Sequence, residues 1–164
     1  MNIYDVIVVG GGHAGCEAAH ASARLGSKTL LITMKIDGIG QMSCNPAIGG
    51  IGKSHLAREV DALDGLICKA ADDASLQSRV LNSSKGAAVR ATRIQTCRDE
   101  YKKAMQKDIL NHENLTVLQS TVKSVKFSKN RAEGVVIETG DYIKSKCVVL
   151  TAGTFLGGVI HMGE

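Results

Sequence analysis

The chain has no tryptophan, a single proline (Pro46), three tyrosines and two phenylalanines. At 3% aromatic it lacks the ladder of rings on which single-stranded nucleic acids stack, which excludes binders of that design. One proline leaves no proline-rich linker to divide the 164 residues, so one domain with a real core is expected. No apolar run approaches the ~20 residues of a membrane-spanning helix. The first residues enter a strand pattern with no basic n-region and no cleavage site, so a cytoplasmic setting without a membrane is expected. The five cysteines (Cys16, Cys44, Cys68, Cys97, Cys147) form no C-x-x-C pair and stand 28, 24, 29 and 50 residues apart. That spacing argues against a disulfide framework and a zinc site. Cys16 and Cys147 read as small buried apolar residues. His13 and His55 have no partners at ligand spacing, so no metal is expected.

What the chain does have is glycine, 18 residues of it, and some of it is placed with purpose. The run Asp5-Val6-Ile7-Val8-Val9 leads into Gly10-Gly11-Gly12-His13-Ala14-Gly15 and then an alanine-rich segment. Gly10, Gly12 and Gly15 fill G-x-G-x-x-G directly after an apolar strand and at the head of a helix. In that pattern the first glycine permits the turn, the second admits a pyrophosphate, and the third lets helix and strand approach. The helix head offers free N–H groups and a positive dipole end to the phosphates. Dinucleotide binding is the reading that uses all three glycines; a glycine-rich turn that binds nothing is the weaker one.

Along the chain, strand one is expected at 5–9, a helix at 14–25 ended by Gly26, and strand two at 29–33. These form a βαβ unit with neighbouring parallel strands. Residues 34–54 read as a glycine-rich loop, followed by a helix from about Ser54 to Leu63 with Leu56, Val60 and Leu63 at helical spacing. Residues 65–92 give no clear period, and a long amphipathic helix is expected over 93–111. Strand three falls at 115–121. An antiparallel meander spans 122–140 around Lys129-Asn130, and a further buried strand at 147–151 runs into the small-residue turn Ala152-Gly153-Thr154. A meander between strand three and a later core strand is similar to the FAD-binding domains of glutathione-reductase-like flavoproteins. The expected class is therefore α/β, a Rossmann-like FAD-binding domain with an insertion over 34–114.

The remaining motifs are less direct. A dinucleotide site usually has an acid at the end of strand two for the ribose hydroxyls. Here Thr33-Met34-Lys35 stands there, and the nearest acid is Asp37. The string from Ala47 to Ser54 fits a relaxed P-loop, but Gln41 to Pro46 ahead of it do not read as the required strand, so nucleoside triphosphate binding is not favoured. Cys44, in Ser-Cys-Asn-Pro, lies outside any core period; it is either a loop thiol that shapes a pocket or a nucleophile. Residues 79–107 carry eight Lys/Arg against Asp99 and Glu100. Arg79, Lys85, Arg90 and Arg93 surround a polar loop and suit phosphates, whereas Lys102, Lys103 and Lys107 read as a solvated helix face.

Four segments together, Gly10 to Ala19, Gln41 to Lys53, Leu81 to Arg93 and Val148 to Leu156, closely resemble the MnmG (GidA) family of tRNA uridine 5-carboxymethylaminomethyl modification enzymes. The resemblance covers nearly the whole chain. Ala87 stands where the family usually has proline, and Ser54 and Asp64 where it usually has glycine. Family members are several times longer, so the resemblance implies an N-terminal part of the FAD-binding domain, with the other family domains absent.

That resemblance implies FAD as cofactor, and NADH and methylenetetrahydrofolate as co-substrates in modifying the wobble uridine of certain tRNAs. It implies an MnmE-type GTPase partner and, in full-length members, a homodimer. Gly10, Gly11, Gly12, His13, Ala14 and Gly15 would hold the FAD pyrophosphate, and Val122 would lie against the adenine. Asn45, Gly49, Gly50 and Lys53 would border the flavin ring and NADH. Lys85, Arg90 and Arg93 are candidates for cofactor or tRNA phosphates, and Cys44 matches a family cysteine considered catalytic. Two other readings stand beside this one: a folate- and FAD-dependent tRNA methyltransferase relative, and a non-catalytic module that binds tRNA or a partner.

Overall fold

A computed structural model describes residues 3–154 together with 156, 159 and 163. Phe155 of the fourth family-like segment lies outside the described residues. The strands are β1 (Tyr4–Val9), β2 (Thr29–Thr33), β3 (Ala47–Gly49), β4 (Ser75–Leu81), β5 (Ala91–Thr96), β6 (Leu115–Gln119), β7 (Val122–Ser128), β8 (Arg131–Ile137) and β9 (Tyr142–Leu150). The helices are α1 (His13–Arg24), α2 (Lys53–Ala62), α3 (Leu66–Asp73) and α4 (Arg98–Leu110), with short 3-10 turns at Ile36–Gly38 and Ala87–Val89.

The main sheet runs β6-β2-β1-β9-β8-β7. Its first four strands are parallel, in the order third, second, first, fourth of a doubly wound fold. The apolar runs of β1 and β2 are covered on both faces, which explains why they do not alternate with polar residues. Val8 and Leu31 enter one core with Cys16, Ala19 and Ala23 of α1, Leu66 of α3, and Tyr101, Met105 and Ile109 of α4. Ile7, Leu30 and Ile32 enter a second core with Val135 and Ile137 of β8. Helix α1 presents Gly15, Ala19 and Ala23 to the sheet, a stripe of small residues at four-residue spacing that brings the helix close. It ends with Gly26 at φ +86, the left-handed C-terminal position expected.

The antiparallel meander forms from β7 and β8, and β9 continues it, pairing antiparallel with β8 through Tyr142 to Lys144 and then running on as the parallel neighbour of β1 through Cys147 to Leu150. Three expectations change. Cys147 on that strand is exposed, not buried. The long helix over 93–111 begins only at Arg98, because Thr92, Ile94 and Thr96 alternate as strand β5 between β3 and β4. Its β-branched residues suit the pleat better than a helix. Residues 34–54 are likewise not all loop, since Ala47–Gly49 pairs with Gln95 to Arg93. Helix α2 forms where its spacing placed it, but Leu56 and Leu63 stay exposed, at 65% and 74%.

Asp64, where the resembling family has glycine, sits at φ +68. A left-handed φ favours glycine, and aspartate is among the residues that tolerate it best. Its carboxylate also bonds Arg24 and Lys69, which hold its pKa below the ordinary carboxylate value. Ala87, in place of proline, opens the 3-10 turn at the position where proline's fixed φ fits a helical start.

Candidate functional site

The site is built where β1, β2 and β9 end. Thr151, one residue beyond β9, fixes the junction: its N–H donates to the Val9 carbonyl at 2.9 Å, and its hydroxyl donates to the carbonyls of Val9 (2.8 Å) and Gly10 (3.1 Å). On the other side, the Gly10 N–H donates to the Ile32 carbonyl at 2.8 Å. The chain therefore turns out of the sheet between its two neighbours, at the point where strand order reverses. In open α/β sheets that point is the ligand crevice.

Two glycines there differ in what demands them. A Cβ on Gly15 would lie 1.7 Å from the Gly10 carbonyl oxygen and 2.8 Å from the Thr151 hydroxyl. The chain itself forbids any side chain at 15. A Cβ on Gly12 would meet nothing within 4 Å, and Gly12 has φ −74, which any residue adopts. Among the described residues nothing requires glycine at 12, which forms the N-cap of α1, carries no side-chain cap, and is exposed. The first turn of α1 contains no acid, so the helix dipole faces the crevice uncompensated. An open cradle lined by unengaged helix-head amides suits a phosphate group of a dinucleotide.

The residues around the cradle are tied to it by backbone contacts. The Gly40 N–H donates to the Gly11 carbonyl at 3.3 Å, and buried Ile39 lies where a Cβ on Gly11 would point. This brings the segment after β2 alongside the glycine turn. Thr33, at the end of β2, donates to the Lys35 carbonyl (3.3 Å), and no acid occupies that position. Asp37 is ion-paired with Lys102 at 2.6 Å instead. The Ser120 N–H donates to the Thr33 carbonyl, so the β6–β7 junction also ends beside the crevice. Val122 starts β7, and its side chain packs on the second core.

His13 opens α1 half-buried, with its ring centroid 5.6 Å from that of Tyr101. Burial pushes its pKa below the ordinary histidine value, with Glu17 opposing. Its Nε2 and the Tyr101 hydroxyl are buried without hydrogen-bond partners. Glu17 was not singled out from the sequence, yet it organises this end of the fold: its carboxylate accepts from the N–H groups of Leu66 (3.1 Å) and Ile67 (2.7 Å), tying α3 to α1. Thr151 was also missed; the visible signal was a hydroxyl residue closing an apolar strand before Ala152-Gly153.

The second glycine loop holds a different arrangement. A Cβ on Gly49 would lie 2.1 Å from the Thr92 carbonyl oxygen, so close packing of β3 on β5 accounts for that glycine. The Ser54 hydroxyl donates to the carbonyls of Gly50 (2.7 Å) and Thr92 (2.6 Å) and accepts from the Gly50 N–H. Gln41 to Pro46 ahead of the string form no strand, as the sequence reading has it, and the short strand β3 lies inside the string. The serine hydroxyl that would meet a magnesium ion in a P-loop is spent on the backbone. Lys53 is exposed at the start of α2, and Asn45 and Cys44 are exposed on the loop before β3. The Cys44 carbonyl accepts from the Arg98 guanidinium at 2.7 Å, which pins the loop to α4.

Lys85, Arg90 and Arg93 fall on one hairpin, β4 to β5, away from the glycine turn in the chain. Arg90 Nε donates to the Lys85 carbonyl at 2.9 Å, closing the hairpin loop. Arg93 lies on β5, opposite Arg79 of β4. Among the described residues no group of three or more His, Cys, Asp or Glu side chains is arranged to hold a metal ion, and no helix is long and apolar enough to cross a membrane.

Comparison with known proteins follows the same lines. The solved structure of GidA from Aquifex aeolicus in its form I crystal is 47% identical, with TM-score 0.96, over 99% of this chain and 27% of that chain. Its form II crystal gives TM-score 0.91 at the same identity, over 93% and 25%. The GidA-related protein from Thermus thermophilus shares the fold at 20% identity and TM-score 0.65, over 95% and 56%. So does PqsL, a probable FAD-dependent monooxygenase from Pseudomonas aeruginosa, at 16% identity and TM-score 0.65, over 94% and 43%. The chain thus spans about a quarter of the length of the Aquifex protein. The family model for glucose inhibited division protein A matches residues 5–164, and the chain belongs to that family, GidA.

Proposed function

We propose that this chain provides the dinucleotide-binding part of a flavin-dependent tRNA-modifying enzyme, with FAD as the dinucleotide. The observation that carries the reading is Gly12, a glycine that no contact among the described residues demands, placed on an uncapped helix head at the switch point of the sheet. GidA membership supports flavin chemistry directed at tRNA.

In this reading the amides at Gly12, His13, Ala14 and Gly15 hold the pyrophosphate, with Gly10 and Gly11 shaping the turn beneath it. The backbone around Val122 borders the adenine. Asn45, Gly49, Gly50 and Lys53 face the flavin ring and NADH. FAD, when bound, supplies the redox chemistry that no side chain here can. Burial lowers the pKa of His13 in the chain itself, and the Thr151 hydroxyl holds the turn closed at Val9 and Gly10. Cys44 stands exposed as the candidate nucleophile, and Lys85, Arg90 and Arg93 offer positive charge to phosphates. The product is the 5-carboxymethylaminomethyl group on a wobble uridine, with NADH and methylenetetrahydrofolate as co-substrates and an MnmE-type GTPase and a second GidA copy as partners of the longer protein.

The test is a flavin absorbance spectrum of the chain after incubation with FAD and gel filtration. One flavin per chain is expected. A folded, colourless protein that still retards tRNA replaces this reading with the non-catalytic binding module. The finer chemistry is tested by nucleoside mass analysis of tRNA from cells lacking the gene, where the modified wobble nucleoside should disappear.

A further inference from the structure

The hairpin of β4 and β5 is one of two stretches that carry four cations and no acid; residues 115–132 are the other, and the register there sets no two of those cations opposite each other. Residues 75–96 contain Arg79, Lys85, Arg90 and Arg93 and no Asp or Glu. The strands place two of them together. Arg79 pairs directly with Arg93 in the antiparallel register, and Gln77 pairs with Gln95 beside them. Residues two apart on a strand share a face, so this is a Gln–Gln and Arg–Arg ladder on one side of the three-stranded sheet. Strand β5 turns Ile94 to the core and leaves Arg93 and Gln95 on the opposite face. With Leu81 these side chains line a shallow groove of about 340 Å³.

Two like charges directly across a β-ladder are unfavourable. Among the described residues neither arginine has a carboxylate within ion-pairing distance. An anion shared by both guanidiniums would offset that repulsion. Arginine forks match phosphate oxygens two at a time, and glutamine amides donate to the same oxygens. A two-residue step along a strand is about 6.7 Å, so the Arg and Gln rungs can serve successive groups of one ligand. The groove has no aromatic platform and one apolar side chain, Leu81, which disfavours base stacking and a hydrophobic protein anchor.

We infer that the outer face of the β4–β5 hairpin, centred on the Arg79–Arg93 pair, is a binding site for the phosphodiester backbone of RNA. It positions tRNA through phosphates without reading bases. The inference rests on the tRNA reading above and adds to it a surface in the insertion, made of none of the residues of the glycine turn.

The experiment is a fluorescence anisotropy titration of an end-labelled, unmodified tRNA transcript with the wild-type chain, R79Q/R93Q, R79K/R93K, and the charge-matched control K123Q/K126Q on exposed β7, over a series of salt concentrations. Thermal melts and FAD binding are measured on each. R79Q/R93Q should lower the salt slope by about one per arginine and weaken binding on the order of 30-fold at about 0.1 M salt. The lysine pair should fall between wild type and R79Q/R93Q, because charge is kept and the fork is lost. The control should stay within about 3-fold of wild type, with its melt and its FAD binding unchanged. If wild type binds tRNA and R79Q/R93Q behaves as the control does, this site is overturned and the tRNA reading stands. If R79Q/R93Q loses FAD but keeps tRNA, the pair serves the cofactor and the site is overturned. If wild type does not bind tRNA at all, the tRNA reading itself fails.

Discussion

Gly12→Asp and Gly15→Ala separate what the chain needs from what its ligand needs, and they should act in opposite ways. At position 15 a methyl would sit 1.7 Å from the Gly10 carbonyl oxygen, which is backbone and cannot rotate away. Relief requires moving α1 off β1, and forced overpacking of this kind costs about 3 kcal/mol. For a domain of this size that is a fall in Tm of roughly 6–12 °C in the absence of ligand. At position 12 the side chain enters open space, with a backbone that an N-cap aspartate adopts readily. Aspartate there caps the free amides and complements the dipole, so the apo protein should be unchanged or stabilised by a few tenths of a kcal/mol. The same carboxylate fills the cradle with negative charge. At about 5 Å from one phosphate and an effective dielectric of ~20, repulsion is on the order of 3 kcal/mol, or roughly 100-fold in affinity. The assay is a thermal melt without ligand beside a flavin fluorescence titration. The reasoning is refuted if Gly12→Asp binds FAD within tenfold of wild type, or if Gly15→Ala melts where wild type does.

The other predictions concern the surrounding shell. Tyr101→Phe removes a hydroxyl that is fully buried without a partner, so it should be neutral or raise stability by about 1 kcal/mol; a loss of that size in urea unfolding would mean the hydroxyl is bonded. Glu17→Ala strips the carboxylate from two N–H groups of α3 and should cost about 2 kcal/mol, visible as a lower urea midpoint, while Glu17→Gln retains part of that stability. In thiol labelling of the native chain, Cys44 and Cys147 should react and Cys16 should stay silent, since Cys16 is fully buried and its pKa is pushed up to about 12 by burial; prompt labelling of Cys16 would show that α1 opens. Burial lowers the pKa of His13, and burial followed by the charge of His112 lowers that of His20, so the folded state binds fewer protons than the unfolded one. Stability from these groups is therefore complete above the unfolded value of about 6.5 and is lost as pH falls through and below it. The urea midpoint should drop between about pH 7 and pH 5, and His20→Gln should flatten that drop.

How far the sequence went depended on whether a residue's neighbours in the chain are also its neighbours in space. Asp5 to Thr33 is a local βαβ unit, so its apolar runs, its small-residue helix face and Gly26 were all readable. Ala91 to Thr96 was not, because its strand exists only through pairing with β4 before it and with β3 some 45 residues earlier. Leu56 and Leu63 show the opposite limit: a helical period is a statement about spacing, and both side chains remain exposed on α2. The glycines divide along the same line. Their pattern marked a site and gave each glycine of G-x-G-x-x-G its own role. The packed chain adds the contacts: Gly15 is consumed by Gly10 and Thr151, and Gly49 by Thr92, while Gly12 meets nothing within 4 Å among the described residues. A residue that the fold fully explains says little about a ligand. Gly12, left unexplained by the described contacts and set on a helix head at the switch point of the sheet, is the observation on which the dinucleotide proposal stands.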